Sequence, residues 1–126
     1  MSYLADACAL VVFYGGGRAG HEMVEGMRIM TSEDVAVLPT TVWEISRKIA
    51  LGRLEMPISS ALSTLLHQSR FNLMPFTWED AELAASLPDH HRDPMDRMVI
   101  AAALRANMTV ISSDRIFAAY GVKTVW

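Results

Sequence analysis

The chain has 126 residues, 52% of them hydrophobic, which fits a single soluble domain with a substantial core. Its net charge of −3 argues against a protein that holds nucleic acid through a broad basic surface. No apolar run reaches the roughly 20 residues of a membrane-spanning helix, and no basic region precedes the apolar N-terminal stretch, so neither secretion nor membrane insertion is indicated. Cys8 is the only cysteine, which excludes an internal disulfide, favours a reducing cytoplasm and makes Cys8 itself an expected core residue.

The first apolar segment, residues 3–14, allows two interpretations that differ in the role of Asp6. In one, Tyr3–Ala5 form a buried strand, and Asp6 ends that strand and caps a helix over residues 7–14. In the other, residues 9–14 form the strand because Val-Val-Phe-Tyr favours β-structure, and Asp6 merely precedes it.

A glycine-rich segment follows at residues 15–20, and its spacing matches the Gly-x-Gly-x-x-Gly pattern of dinucleotide-binding folds. A helix-like segment at residues 21–30 also fits that pattern. The pattern further requires an acid after the next strand, where the sequence has Pro39-Thr40-Thr41, and Glu33 and Asp34 precede that strand. A flexible loop between helices is therefore the favoured interpretation.

The second strand is expected at residues 35–38, and a helix after it is expected to start at Thr41 and to stop at Gly52. Thr41-x-x-Glu44 has the form of a capping box, in which both side chains satisfy backbone groups at the helix start. The next elements are expected as a helix at 57–67, a buried strand at 71–75, a helix from Thr77 to about Pro88, a strand at 109–112, a short helix from Ser113 to Gly121 and a strand at 122–126.

One further helix is expected to begin after residue 93. Asp93 is placed to cap it, Pro94 suits the first helical position, and Asp96 then lies in the first turn, where the helix dipole favours a negative charge. Strands alternating with helices indicate an α/β fold with a parallel sheet of about five strands in one domain, residues 1–126.

Acidic residues recur where such a sheet would gather them. Asp6 follows the first strand, Asp114 follows the fourth, and Glu44 lies in the first turn of the helix after the second. Because parallel strands end at one edge, these acids can share a site with Asp93 and Asp96. Carboxylates near 4 Å repel one another by about 1–4 kcal/mol per pair, and a divalent cation removes that penalty. Oxygen ligands favour Mg²⁺ or Mn²⁺ over Zn²⁺.

Four segments in this order resemble the motifs of PIN-domain ribonucleases of the VapC type, the toxins of type II toxin–antitoxin systems. They are Tyr-Leu-Ala-Asp6-Ala, Val-Trp-Glu44-Ile-Ser-Arg-Lys48, His91-Arg-Asp93-Pro-Met-Asp96-Arg97 and Val-Ile-Ser-Ser-Asp114-Arg-Ile-Phe. The sequence departs from the family at Met95, where Phe is frequent, and at Ala7, where a hydroxyl residue is common. The first departure is expected to alter packing only, and the second could weaken a hydrogen bond in the pocket.

The resemblance implies a Rossmann-like, three-layer α/β/α sandwich that hydrolyses RNA phosphodiester bonds with Mg²⁺ or Mn²⁺. It implies an antitoxin partner that masks the pocket, often with an arginine, and a homodimer of the toxin. The implied pocket acids and metal ligands are Asp6, Glu44, Asp96 and Asp114, and the supporting residues are Asp93 and Ser112. The residues expected to hold the RNA backbone are Arg97, Arg92, Arg115 and Lys48; the alternative is that these basic side chains form salt bridges with the pocket acids.

Two other functions remain open on the sequence alone. His90 and His91 adjoin the acids, so an acid–base pair could cleave RNA through its 2′-hydroxyl without a metal. Alternatively, the chain could be a non-catalytic PIN-like module whose acidic pocket receives a partner's arginine. Loss of activity in EDTA would exclude the first, and RNA cleavage that depends on Asp96 would exclude the second.

Overall fold

A computed structural model of the chain describes residues 2–16 and 22–126. Within them it contains the strands β1 (Tyr3–Ala5), β2 (Val35–Val37), β3 (Asn72–Leu73), β4 (Thr109–Ile111) and β5 (Thr124–Val125). The helices are α1 (Ala7–Phe13), α2 (Glu25–Ser32), α3 (Pro39–Ala50), α4 (Leu62–Gln68), α5 (Trp78–Ser86), α6 (Pro94–Ala106) and a 3₁₀ helix (Arg115–Tyr120). Among these described helices, none combines the length and apolar character that crossing a bilayer requires.

All five strands are parallel and pair in the order β3-β2-β1-β4-β5, so β1 lies at the centre beside β4. Side chains alternate between the two faces of the sheet. Leu4 and Val110 point into a core formed with α5, α6 and the 3₁₀ helix, whereas Ala5 and Ile111 point into a second core formed with α1 to α4. The predicted three-layer α/β/α sandwich with a parallel five-stranded sheet is confirmed.

The N-terminal ambiguity is resolved in favour of the short strand. Tyr3–Ala5 pair with both β2 and β4, and the Asp6 side chain accepts a hydrogen bond from the Ala9 N–H as the N-cap of α1. The β-favouring side chains of Val11 and Val12 are therefore helical, because tertiary packing overrides their local preference. Of the glycine-rich pattern at 15–20, residues 17–20 lie outside the described residues, and the helix expected at 21–30 begins only at Glu25.

Several expected boundaries are wrong. The α3 helix starts at Pro39, two residues before the expected cap, because Leu38 is extended and proline suits the first helical position. Thr41 is thus inside the helix, its hydroxyl forms no hydrogen bond, and the capping box with Glu44 does not form. The helix does stop at Gly52, whose φ of 68° is left-handed.

Two elements in the middle of the chain also differ from expectation. The α4 helix begins at Leu62 rather than at residue 57. The β3 strand is not buried, since both of its residues are exposed at the edge of the sheet. By contrast, α5 begins after Thr77, and α6 begins after Asp93, as the sequence predicted.

Candidate active site

Asp6 lies at the carboxyl end of the central strand and is 5% exposed. Its Oδ1 accepts a hydrogen bond of 2.8 Å from the Ala9 N–H. Burial raises the pKa of Asp6 to about 6; hydrogen bonds from Ser112 and Ala9 oppose the rise, while the negative charges of Asp96 and Asp114 add to it. Asp6 is therefore close enough to both acids to sense their charge.

Asp93 and Asp96 occupy the start of α6. Asp93 Oδ1 accepts hydrogen bonds from the N–H groups of Met95 (2.8 Å) and Asp96 (3.2 Å), which fixes the first turn. Asp96 is half-buried, and burial raises its pKa, while a hydrogen bond from His91 lowers it and the charges of Asp93 and Asp114 raise it. Asp93 thus supports the helix start, and Asp96 presents its carboxylate from that turn.

Asp114 caps the 3₁₀ helix after β4, where its Oδ1 accepts a hydrogen bond of 3.0 Å from the Ile116 N–H. Its own N–H donates to Ser112 Oγ at 3.0 Å. Ser112 is buried and follows the last residue of β4, beside the end of β1. Ser112 therefore lies with Asp6, which follows β1, and Asp114, which follows β4.

Glu44 approaches from α3. Because that helix begins at Pro39, Glu44 is its sixth residue and lies in the second turn, not in the first as the sequence suggested. Its side chain is 13% exposed and forms an ion pair of 3.0 Å with Lys48 Nζ one turn later. A cationic group therefore already offsets part of the negative charge on this side of the pocket.

These side chains line one cavity of about 480 Å³ at the carboxyl edge of the sheet. Its polar lining, contributed by segments that are far apart in the chain, includes Asp6, Glu44, Lys48, Asp93, Asp96, Ser112 and Asp114. The fold explains this, because β1 and β4 are adjacent and α3 packs against α1 and α6, the helices that follow Asp6 and Asp93. The structure brings together all six of the acids and supporting residues that the sequence singled out.

The donor set suits a divalent cation. Donor atoms of His91, Asp96 and Asp114 all lie within 4.8 Å of one another, and Asp6 and Glu44 add carboxylates from the same cavity. Oxygen-rich ligand sets of this kind fit Mg²⁺ or Mn²⁺. Such an ion would be held by the pocket acids and would relieve the mutual repulsion that helps to raise the pKa of Asp6.

Arg97 does not take the place that the sequence assigned to it. Its five N–H donors bind the carbonyl oxygens of Ala84, Leu87, Pro88 and His91 at 2.7 to 3.2 Å, and its side chain is 12% exposed. The expectation that Arg97 holds RNA is therefore corrected: its guanidinium forms hydrogen bonds with the segment between α5 and α6 and stabilises that segment.

The other predicted contact residues are spread over the surface. Arg92 is exposed and lines a different cavity, beside Pro94 and Met98. Arg115 is exposed directly after Asp114, and Lys48 alone of the four lines the acidic cavity. Of these residues, Lys48 therefore lies among the carboxylates, whereas Arg92 and Arg115 adjoin Asp93 and Asp114 only by their positions in the chain.

The sequence interpretation missed two residues. Cys8, expected in the core, is exposed and lines the acidic cavity, because Asp6 caps α1 and leaves the second residue of that helix at the cavity wall. His91 was considered as an acid–base catalyst and not as a cation ligand, yet its Nε2 lies 2.6 Å from Asp96 Oδ2. The sequence could have indicated this role, because His91 lies two residues before the Asp93 cap and thus close to Asp96.

The fold is shared with proteins of known structure. The structure is similar to the VapBC2 complex of Rickettsia felis bound to a promoter DNA fragment, with 12% identity, a TM-score of 0.70 and coverage of 98% of this chain and 97% of that one. It is also similar to FitAcB of Neisseria gonorrhoeae (20% identity, TM-score 0.67, 98% and 96% covered) and to a toxin–antitoxin complex of Klebsiella pneumoniae (19%, 0.64, 93% and 91%). No curated protein matches the sequence. The sequence pattern described as "PIN domain" matches residues 3–123, and the chain therefore belongs to the PIN domain family.

Proposed function

We propose that the protein is a VapC-type toxin, an endoribonuclease that hydrolyses RNA phosphodiester bonds with Mg²⁺ or Mn²⁺. The cation would be held by Asp6, Glu44, Asp96 and Asp114. The observation that carries the proposal is their convergence: carboxylates from four separate segments line one cavity, and the pKa of Asp6 is raised in part by the charges of Asp96 and Asp114. Membership in the PIN family, whose members are generally nucleases, supports the same activity.

The chemistry needs no protein nucleophile. A bound divalent cation makes water more acidic and offsets the negative charge that develops on the phosphate. Asp93 and Ser112 keep the carboxylates in place, because Asp93 fixes the first turn of α6 and Ser112 bonds the Asp114 N–H. Lys48 lines the cavity with its side chain half exposed, and with Arg115 and Arg92 on the surface it would contact the RNA backbone.

A toxin of this type would act in the cytoplasm with two protein partners, an antitoxin and a second copy of itself. The similar structure from Klebsiella pneumoniae supports the first partner, since it is a toxin–antitoxin complex. The Lys48–Glu44 ion pair shows that a basic side chain fits this acidic cavity. An arginine from the antitoxin would therefore mask the carboxylates by pairing with them.

Cleavage of a broad single-stranded RNA pool tests the proposal. We expect the purified chain to cleave RNA with Mg²⁺ or Mn²⁺ and to lose this activity in EDTA. The Asp96→Asn variant keeps the size of the side chain but removes its charge, and we expect its cleavage rate to fall at least about 100-fold. Asp34→Asn, at an exposed position away from the cavity, is the matched control and should cleave like the wild type.

Two outcomes would contradict the nuclease proposal as stated. Cleavage that persists in EDTA and is lost in His91→Gln would identify the histidine-driven mechanism. Equal failure of wild type and Asp96→Asn to cleave any RNA with either cation would leave a non-catalytic module that binds a partner's arginine.

A further inference from the structure

The segment between α5 and α6 is held in place by hydrogen bonds from Arg97. The Arg97 guanidinium donates from Nη1 to the carbonyl oxygens of Pro88 (3.1 Å) and His91 (3.0 Å), and from Nη2 to those of Ala84 and Leu87. These bonds span the segment from the last turn of α5 to the residue before Arg92. The seven-residue connection, residues 87–93, is thereby held in a defined path next to the acidic cavity.

Tyr120, the last residue of the 3₁₀ helix, also forms hydrogen bonds with this segment. Its hydroxyl donates to the Pro88 carbonyl at 2.6 Å and accepts from the His91 N–H at 2.8 Å. Its ring packs edge-on against His90, with centroids 5.1 Å apart. The backbone of His91 is therefore held at both its N–H and its carbonyl, whereas its side chain is free of this network and turns towards Asp96.

The His91 ring lies beside two carboxylates that could share an ion with it. Its Nε2 lies 2.6 Å from Asp96 Oδ2, and the donor atoms of His91, Asp96 and Asp114 lie within 4.8 Å of one another. Neighbouring ligands of a six-coordinate ion with bonds of about 2.1 Å are about 3.0 Å apart, and opposite ligands are about 4.2 Å apart. Displacements of a few tenths of an ångström would therefore let all three groups share one ion.

We propose that His91 is a ligand of the divalent cation through Nε2, and that Arg97 and Tyr120 are positioning residues that hold His91 at the site. The inference rests on the proposed function, to which it adds a nitrogen ligand and a metal preference. In the neutral ring with its proton on Nδ1, Nε2 carries a lone pair that would bind the cation together with the Asp96 carboxylate. Imidazole binds transition metals well, whereas Mg²⁺ favours oxygen, so His91 selects Mn²⁺ over Mg²⁺.

The test measures the bound ion itself, independently of RNA cleavage. Mn²⁺ is added to the purified full chain, and electron spin-echo envelope modulation is recorded for a directly bound ¹⁴N. The dissociation constants of Mn²⁺ and Mg²⁺ are then compared by calorimetry in wild type, His91→Gln, His90→Gln and Tyr120→Phe. Gln at residue 91 can still donate a hydrogen bond to Asp96, so this variant removes the ligand and keeps the contact. His90→Gln is the matched control from the same loop.

We expect the ¹⁴N modulation in wild type and His90→Gln and its loss in His91→Gln. The preference for Mn²⁺ over Mg²⁺ should fall about tenfold in His91→Gln, and by a smaller factor in Tyr120→Phe, which removes both hydroxyl hydrogen bonds but keeps the ring. A merely structural role of Tyr120 would lower stability and leave the metal preference unchanged.

The inference and the proposed function fail in different ways. If the wild type binds Mn²⁺ without ¹⁴N modulation and His91→Gln keeps the same metal preference, His91 is not a ligand, and the nuclease proposal is unaffected. If the wild type binds neither Mn²⁺ nor Mg²⁺, both are overturned. The spectrum of the wild type decides the first point even if a variant folds poorly.

Discussion

Asp6→Asn should make the metal-free protein more stable at neutral pH while removing a central acid of the site. Asp6 is 5% exposed, and its pKa rises from 3.8 to about 6 on folding, mainly through burial. This rise corresponds to a penalty on the order of 3 kcal/mol for the ionised carboxylate. Asn removes the charge and can still accept the Ala9 N–H bond, but its amide N–H₂ needs new partners, so we expect a net gain of about 1–2 kcal/mol.

The sign of the pH dependence follows from the raised pKa. Well below pH 3.8 the carboxyl is protonated in both the folded and the unfolded chain, so the penalty is absent. It develops between about pH 4 and 6 and is complete above the folded pKa of about 6. The stability advantage of Asp6→Asn over the wild type should therefore be largest at pH 7.5. It should be lost by pH 4, where the wild type is free of most of the penalty while the variant still carries the cost of its new amide group.

Urea denaturation in EDTA at pH 4, 5, 6 and 7.5 measures this difference in unfolding free energy. Asp34→Asn, at an exposed position, is the control and should show no comparable gain. Saturating Mn²⁺ should stabilise the wild type, by about 2.7 kcal/mol at 100 times its dissociation constant, and so cancel or reverse the advantage of Asp6→Asn. An Asp6→Asn variant that is less stable than the wild type at pH 7.5 in EDTA would refute the reasoning.

Two further predictions concern the framework of the site. Arg97→Met should lower the unfolding free energy by about 2–4 kcal/mol, because it leaves the carbonyl oxygens of Leu87 and Ala84 without their donor. A loss below about 1 kcal/mol in urea denaturation would contradict the role given to Arg97. Gly26→Ala should destabilise the protein by about 1–2 kcal/mol, because a Cβ at this position would lie 2.8 Å from the buried Ile111 Cγ2. This loss is expected even though alanine favours helices over glycine. A higher melting temperature of the variant would show that the α2–β4 contact is looser than the structure indicates.

The sequence predicted well those features that local chemistry determines. Asp93, Pro94 and Asp96 mark the start of α6 because capping, a fixed φ and the helix dipole act within one turn. The meeting of Asp6 with Asp114 was also predictable, since it follows from parallel strands and needs no knowledge of side-chain contacts. The conformation of residues 9–14 was not, because β-branched residues fit a helix once packing requires it.

The roles of individual side chains near the site depended on contacts that no local pattern contains. Arg97 follows Asp96 directly, which suggested a phosphate ligand, but the helix turns it towards the carbonyl groups at the end of α5. His91 lies beside Asp96 in a loop whose backbone is bound by Arg97 and by Tyr120, 29 residues later, and no local pattern contains these contacts. Cys8 was expected in the core because isolated cysteines usually are buried, whereas its helix position leaves it on the cavity wall.

A Mn²⁺ titration followed by the electron paramagnetic resonance of the free ion tests most directly whether the converging acids form one cation site. We predict saturable binding to the wild type and to Asp34→Asn, and an affinity at least about tenfold weaker in each of Asp6→Asn, Asp96→Asn and Asp114→Asn. Absence of saturable binding in the wild type, or equal binding by all the variants, would contradict the assignment of this cavity as a metal centre.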